Sequence, residues 1–403
     1  MGRPHVLAIP YPAQGHVIPL MELAQCLAKD GIKVTFVNTE FNHKRIVKAL
    51  SQTGNINESI QLASIPDGLE PWEDRNDLGK LTVAMLKVMP EKLEALIEKI
   101  NETESDKIVC VITDYGMGWA LELANKLGIK RAAFVPTAVA LLALAINAQK
   151  LVDEGIIDSD GTPLKHQMIQ LSPDTPAMST LNLVWTCMGD FTTQKVIFHS
   201  ISQNITSAKL ADWILCNSSY ELERGALTLV PNCLPIGPLL ASNRLGKSAG
   251  HFWPEDSASL AWLDQQPANS TIYVAFGSFT VFDQTQFQEL ALGLELTNRP
   301  FLWVVRQDMT QDNDKAYPKG FKDSVKNRGK LVGYASTEVG LELDKDESGI
   351  IRQAEIRKKV ELLLTDKSYK TRALDLKLKA MSSATGGCSQ KNFNNFVDWI
   401  KEN

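Results

Sequence analysis

Short apolar runs alternate with longer amphipathic segments along most of the chain. Five apolar runs in the first part are predicted to be strands: Val6–Ile9, Lys33–Asn38, Ile60–Ile65, Ile108–Thr113 and Arg131–Val135. The segments with helical periodicity between them are Pro19–Asp30, Leu81–Asn101 and Trp119–Leu127. Strands that alternate with helices pair in parallel through right-handed crossovers. The pattern therefore predicts an open, doubly wound α/β sheet.

A second series of the same kind follows. Its predicted elements are the strands Thr271–Phe276, Phe301–Val305 and Lys330–Tyr334 and the helix Thr285–Leu296. Between the two series, Gly237–Ser257 is rich in Pro, Gly, Ser and Asn, which is typical of a linker. The predicted organisation is a first domain over residues 1–238, a linker over 239–257, a second domain over 258–385, and a C-terminal helix over 386–403 that docks on a domain.

The composition and net charge exclude several classes of protein. The chain has 403 residues, of which 44% are hydrophobic and 22% charged, as in globular proteins with full cores. A net charge of −5 gives no electrostatic footprint for nucleic acid or an anionic membrane. No signal peptide or membrane-length apolar stretch is visible, and no C-x-x-C pair occurs. We expect a soluble, cytoplasmic monomer with reduced, buried thiols.

The loop after the first strand carries candidate chemistry. Gly15 and His16 follow the strand directly, at the sheet edge where ligands bind in open α/β folds. Gly15 would allow a substrate to approach closely, and a neutral His16 imidazole could act as a general base. The alternative is that His16 only caps the following helix.

Asp114 follows the fourth strand and faces the same edge of the predicted sheet. If it reaches His16, it would fix the imidazole tautomer and stabilise the imidazolium. The alternative is an ordinary helix N-cap.

Hydroxyl groups mark two further turns. Gly277, Ser278 and Thr280 follow a strand of the second series and suit a diphosphate at a helix N-terminus, although an ordinary turn is the commoner explanation. Thr137 follows the strand that ends at Val135 and could contact a sugar, or cap a helix.

Several other chemistries are disfavoured. The histidines show no metal-ligand spacing, so we expect no metal site. No phosphate-binding P-loop, no Gly-x-Ser-x-Gly elbow and no glycine fingerprint for a dinucleotide follows the strands. Several Asn-x-Ser/Thr triplets, one of them at Asn204, carry little weight without a secretory signal.

Together these features resemble the plant family-1 UDP-glycosyltransferases. The matching segments are Pro12–Pro19, Trp119–Ala124, Ile236–Leu239, Trp262–Pro267, Tyr273–Ser278 and Phe301–Arg306. The resemblance implies a GT-B architecture, which is two Rossmann-like domains facing a cleft. It also implies inverting transfer of a sugar, with glucose expected, from a UDP-sugar to a hydroxyl of a small lipophilic acceptor. The UDP-sugar is a co-substrate, and no further cofactor is implied.

The resemblance also assigns roles to individual residues. His16 would be the base and Asp114 its charge partner. Thr137, Ser278, Thr280, Tyr334 and Ala335 would contact the donor. Apart from the resemblance, the residues that we expect to surround the acceptor are Gly15, Met117, Trp119, Trp185 and Met188.

The family's donor-binding signature should start near Lys330–Ala335, and here it departs from the pattern. Thr337–Leu343, which resembles sequence normally found beyond the signature, follows almost at once. About two βα units are predicted to be missing, at roughly 30 residues per βαβ motif. The alternative function is therefore a catalytically impaired acceptor-binding or interaction protein, such as a splice form. A nicotinamide-dependent enzyme is a third, weaker alternative.

Overall fold

The computed structural model describes residues 2–53, 56–239, 249–253, 257–268, 270–277, 280–306, 309–310, 316–332 and 343–402. It divides the chain into two compact units. The first comprises Met1–Phe252 and Leu376–Asn403, and the second comprises Trp253–Asp375. The division after Phe252 falls inside the segment that the sequence predicts to be a linker.

The first unit is built on a seven-stranded parallel sheet. The strands of this unit are β1 (His5–Ile9), β2 (Lys33–Thr39), β3 (Ile60–Ile65), β4 (Ile108–Asp114), β5 (Lys130–Val135), β6 (Met168–Ile169), β7 (Met178–Ser179), β8 (Trp213–Cys216) and β9 (Cys233–Pro235). Strands β6 and β7 do not belong to the large sheet and form a separate two-stranded hairpin. The order in the sheet is β3-β2-β1-β4-β5-β8-β9. The five strands predicted from the sequence are present within one residue at each end.

Helices cover this sheet. They are α1 (Gln14–Lys29), α2 (Glu40–Thr53), α3 (Leu78–Thr103), α4 (Gly118–Lys126), α5 (Val139–Ile146), α6 (Ala148–Asp153), α7 (Phe191–Ala208) and α8 (Tyr220–Leu229). Gly31 and Gly128 end α1 and α4 with φ of +83° and +67°, the left-handed conformation predicted there. Three 3₁₀ turns span Tyr115–Met117, Thr180–Asn182 and Val184–Cys187.

Helix α1 begins five residues before its predicted start. Ala13 adopts an extended conformation as the cap, and the backbone N–H groups of His16 and Val17 both donate to its carbonyl. Pro19 lies inside the helix rather than at its start. His16 is therefore fixed in the first turn of a helix and does not belong to a loop.

The second unit contains a three-stranded parallel sheet. Its elements are α9 (Ser257–Leu263), β10 (Ile272–Val274), α10 (Gln284–Leu296), β11 (Phe301–Val304), α11 (Phe321–Val325), β12 (Gly329–Val332) and α12 (Gln353–Thr365). Its core is centred on Phe287, Trp303 and Phe321, which are fully buried. Helix α13 (Lys367–Ala384) contains the boundary between the two units.

The last helix, α14 (Cys388–Lys401), packs against the first unit. Phe396 is completely buried, with its ring centroid 5.5 Å from that of Trp213 and 5.7 Å from that of Trp399. The Asn392 side-chain amide donates to the Pro235 carbonyl at 2.8 Å. Aromatic packing and a side-chain-to-backbone hydrogen bond thus hold this helix against the β8–β9 edge of the sheet.

All six cysteines are free thiols. Cys26, Cys110, Cys216 and Cys233 are buried as expected, but Cys187 and Cys388 are exposed. The expectation of burial was wrong for these two because Cys187 ends a 3₁₀ turn and Cys388 begins a helix, and both positions are exposed. Within the described part of the chain, the helices are too short or too polar to cross a membrane.

Replacing Phe396 with Ala should lower the free energy of unfolding by about 3–5 kcal/mol, because it leaves a cavity between α14 and the sheet. Urea unfolding followed by tryptophan fluorescence measures the loss. Trp72→Ala is the control, since that ring is 81% exposed and its loss should cost less than about 0.5 kcal/mol. Equal midpoints for the two variants would contradict the packing described for α14.

Candidate functional site

The centre of the first sheet is a topological switch point. From β1 the chain continues to β2 on one side, whereas β4 pairs with β1 on the other. Ile9 lies opposite Thr113, so Asp114 lies one residue beyond the end of the β1 ladder. In open α/β sheets the crevice at such a point, outside the carboxyl ends of the strands, is where ligands bind.

His16 and Asp114 meet at this switch point. The His16 Nδ1 and the Asp114 Oδ2 are 2.8 Å apart. A carboxylate only accepts hydrogen bonds, so Nδ1 carries the proton and the Nε2 of the neutral ring keeps a free lone pair. The His16 side chain is 25% exposed, whereas that of Asp114 is 1% exposed. The arrangement is a partly exposed histidine that is oriented by a buried carboxylate.

The second carboxylate oxygen of Asp114 has a different partner. Its Oδ1 accepts a hydrogen bond from the Gly116 backbone N–H at 2.7 Å and so caps the 3₁₀ turn Tyr115–Met117. The two functions that the sequence left open for Asp114 therefore coexist, one on each oxygen. Both oxygens are held, which fixes the plane of the carboxylate.

The pKa of His16 is raised above its usual range. Burial lowers it, but the negative charge of Asp114 and the hydrogen bond to it raise the pKa by more. A raised pKa means that the pair stabilises the fold fully below the unfolded value of 6.5. That contribution is lost as the pH rises through the folded-state pKa. The neutral, basic form of His16 accordingly predominates only above that raised pKa.

Two neighbours of the pair were not singled out from the sequence. The Tyr11 ring lies 5.2 Å from the His16 ring, and burial together with the nearby Asp114 charge raises the pKa of Tyr11 to about 12. The Asn42 amide on α2 donates to the Pro12 carbonyl at 2.8 Å and holds the β1–α1 loop. Tyr11 lies in the motif itself, whereas no sequence signal connects Asn42 to it.

Gly15 and Thr137 lie on accessible parts of the same edge of the sheet. Gly15 is exposed in the first turn of α1, and a Cβ placed there would meet nothing within 4 Å. Thr137 is half-buried, three residues after Phe134, which pairs with Asp114. The cap of α5 is Ala138, which has no side-chain oxygen.

The residues predicted to surround the acceptor are mostly part of the core. Met117 is completely buried and Trp119 is 7% exposed, and both pack in the cluster between the sheet and α3. Trp185 is also completely buried, with its indole N–H bonded to the Gly161 carbonyl at 2.7 Å. Only Met188 is half-buried. Met117, Trp119 and Trp185 thus pack in the core of this structure, and their contacts with an acceptor stay predictions.

The predicted donor contacts in the second unit are only partly described. Thr280 is half-buried, and its hydroxyl donates to the Phe276 carbonyl at 2.7 Å. The guanidinium of Arg306, which is buried, donates to the carbonyls of Gly277 and Thr280. Ser278, Tyr334 and Ala335 lie outside the described residues, so their assignments stay predictions.

The helix expected to face a diphosphate has a capping carboxylate. Asp283 is the N-cap of α10 and accepts from the Gln286 backbone N–H at 2.8 Å. A negative charge at this position competes with a phosphate for the same N–H groups. The N-terminus of α10 is therefore a poorer anion site than the sequence pattern suggested.

Among the described residues, no group of three His, Cys, Asp or Glu side chains is arranged to hold a metal ion.

Comparison with known proteins identifies the class. The chain is 42% identical to UDP-glycosyltransferase 83A1 of Arabidopsis thaliana, with 100% of this chain and 97% of that protein covered. It is 32% identical to 7-deoxyloganetin glucosyltransferase of Catharanthus roseus, over 83% of this chain and 73% of that one. No family model matches the sequence.

A solved structure shows the same fold. It is a complex between a UDP-glucosyltransferase from Polygonum tinctorium, capable of glucosylating indoxyl, and 3,4-dichloroaniline. The TM-score is 0.80 at 21% identity, with 100% of this chain and 99% of that chain covered. The fold is thus GT-B, with two Rossmann-like units. The chain belongs to the plant family-1 UDP-glycosyltransferases.

The alignment with the Arabidopsis protein runs over 452 positions, whereas this chain has 403 residues. That relative therefore has residues at positions where this chain has none. The shortened donor signature predicted near Tyr334 falls outside the described residues and stays a prediction.

Replacing Asp114 with Asn should lower the pKa of His16 to below its usual range, because burial remains while the charge that outweighed it is gone. NMR titration of the histidine Hε1 resonances measures the shift, with His16→Gln used for assignment. The resonance of His199, which pairs with Asp160 at 2.9 Å on the surface and is remote in sequence from the substitution, serves as an internal reference in both proteins. An unchanged His16 titration would contradict the pairing.

Proposed function

We propose that this protein transfers glucose from UDP-glucose to a hydroxyl group of a small lipophilic acceptor, with inversion at the anomeric carbon. The observation that carries the proposal is the 2.8 Å contact between His16 Nδ1 and Asp114 Oδ2 at the switch point of the first sheet. Family membership supplies the class of reaction, and this contact supplies a base of the kind the reaction needs.

The chemistry follows from the tautomer. The Nε2 of His16 takes the proton of the acceptor hydroxyl. At the same time the oxygen of that hydroxyl forms a bond to the anomeric carbon of the sugar. The bond from that carbon to the diphosphate oxygen breaks, and UDP leaves with the electron pair. Asp114 stabilises the imidazolium that forms and, by holding the proton on Nδ1, keeps the Nε2 lone pair free to act as the base. The UDP-sugar is consumed as a substrate, and no further cofactor enters the proposal.

Glucose and a small acceptor are favoured by the relatives. The Catharanthus protein is a glucosyltransferase named for 7-deoxyloganetin, and the Polygonum enzyme glucosylates indoxyl. Both acceptors are small molecules. The space around Gly15 supports an approach of the acceptor to the first turn of α1. A Cβ placed on Gly15 would meet nothing within 4 Å.

Replacing His16 with Ala should abolish transfer, and His16→Gln should do the same although its amide can still donate to Asp114. General-base catalysis contributes about 10²–10⁴-fold, so either variant should lose at least that much in kcat. Transfer of labelled glucose from UDP-glucose to a mixture of phenols measures the rate. His199→Ala removes a surface histidine–aspartate pair and should keep full activity.

Calorimetry with UDP and acceptors separates this proposal from the alternative of an impaired acceptor-binding protein. Binding of UDP together with turnover supports the transferase. A folded wild-type chain that binds acceptors but neither binds UDP nor transfers glucose would contradict the proposal. Full turnover by His16→Gln would remove His16 from the role of base.

A further inference from the structure

Asn204 is a buried polar residue that the predicted catalytic pattern does not include. It lies on α7 and is 7% exposed, close to the carboxyl edge of the sheet through its contacts with the 3₁₀ turn. In the sequence it begins an Asn-Ile-Thr triplet. Its burial leaves the side chain inaccessible to solvent in the folded protein.

Both ends of the Asn204 amide are bonded to the turn after Asp114. Its Oδ1 accepts from the Gly118 backbone N–H at 3.0 Å. Its Nδ2 donates to the Gly116 carbonyl at 3.2 Å. A single side chain therefore spans the junction between the turn Tyr115–Met117 and helix α4.

The turn and α7 are in close contact at this point. A Cβ on Gly118 would lie 2.8 Å from the Asn204 Oδ1 and 2.9 Å from the Ser207 Cβ. Glycine is thus required at position 118 by the approach of α7. The same closeness means that the turn cannot shift without breaking the bonds to Asn204.

These bonds reach the catalytic pair through one residue. Gly116, whose carbonyl accepts from Asn204, also donates its N–H to the Asp114 Oδ1 at 2.7 Å. That hydrogen bond orients the carboxylate whose other oxygen faces His16. The chain of contacts runs from α7 through Asn204 and Gly116 to Asp114 and His16.

We infer that Asn204 is a positioning residue for the proposed transfer reaction: from α7 it fixes the turn that orients Asp114 toward His16. The inference rests on the proposed function only for its effect on turnover. Its effect on the His16–Asp114 pair is independent of any substrate. A residue that holds a catalytic group in place affects turnover because a displacement of that group by about 1 Å can lower the rate about 100-fold.

Ser207 offers a matched control on the same helix. It is 1% exposed, and its hydroxyl donates to the Glu122 carboxylate on α4 at 2.5 Å. It is as buried as Asn204 and ties the same helix to the same region. It makes no hydrogen bond to the turn that carries Asp114 in the described structure.

The test compares wild type with Asn204→Ala, Asn204→Ser and Ser207→Ala. The groups facing His16 are Asp114 and Tyr11, and both are unchanged in every variant. NMR titration of His16 should show a lower pKa in both Asn204 variants, because Asp114 is less well oriented. Their kcat should fall on the order of 10- to 100-fold with the KM for UDP-glucose unchanged. Ser207→Ala should match wild type in both measurements.

Asn204→Ser keeps a small polar group at the site and decides the question if Asn204→Ala does not fold. A folded Asn204 variant with wild-type titration of His16 would overturn the inference. So would an equal shift in Ser207→Ala, since the effect would then be general packing of α7. If wild type itself transfers no sugar, the proposed function fails, while the titration of His16 still decides the role of Asn204.

Discussion

The pairing of β1 with β4 in the middle of the first sheet is the constraint on which the site depends. Because parallel strands end at the same edge, the segments after β1 and β4 emerge side by side. Helix α1 then starts after only four residues and places His16 in its first turn. A different strand order would separate the imidazole from the carboxylate, whatever the residues were.

The hydrogen bonds of Asp114 offset the cost of burying its carboxylate at this position. A carboxylate that is 1% exposed is costly unless its oxygens are hydrogen-bonded. One oxygen accepts from Gly116 and the other faces Nδ1 of His16. The contacts that satisfy the buried charge of Asp114 therefore also fix the tautomer of His16, and burial strengthens both hydrogen bonds.

Much of the first unit could be predicted from the sequence. The five strands and the glycines that end α1 and α4 have local signals, and His16 and Asp114 follow strands directly. Trp185 and Met117 are completely buried, and their hydrophobicity alone does not distinguish a core side chain from a pocket wall. The structural roles of Asn42 and Asn204 could not be predicted because their partners are backbone groups far away in the sequence. The start of α1 was missed because Pro19 resembles a first helical residue.

The central claim is that His16 and Asp114 act as one unit in glucosyl transfer, and a double-mutant cycle tests it most directly. Single-turnover rates would be measured for wild type, His16→Gln, Asp114→Asn and the combined variant with UDP-glucose and one acceptor. If the pair works as a unit, the combined variant is no slower than His16→Gln alone, because the carboxylate acts only through the imidazole. Losses that multiply in the combined variant would show two independent contributions and would contradict the account.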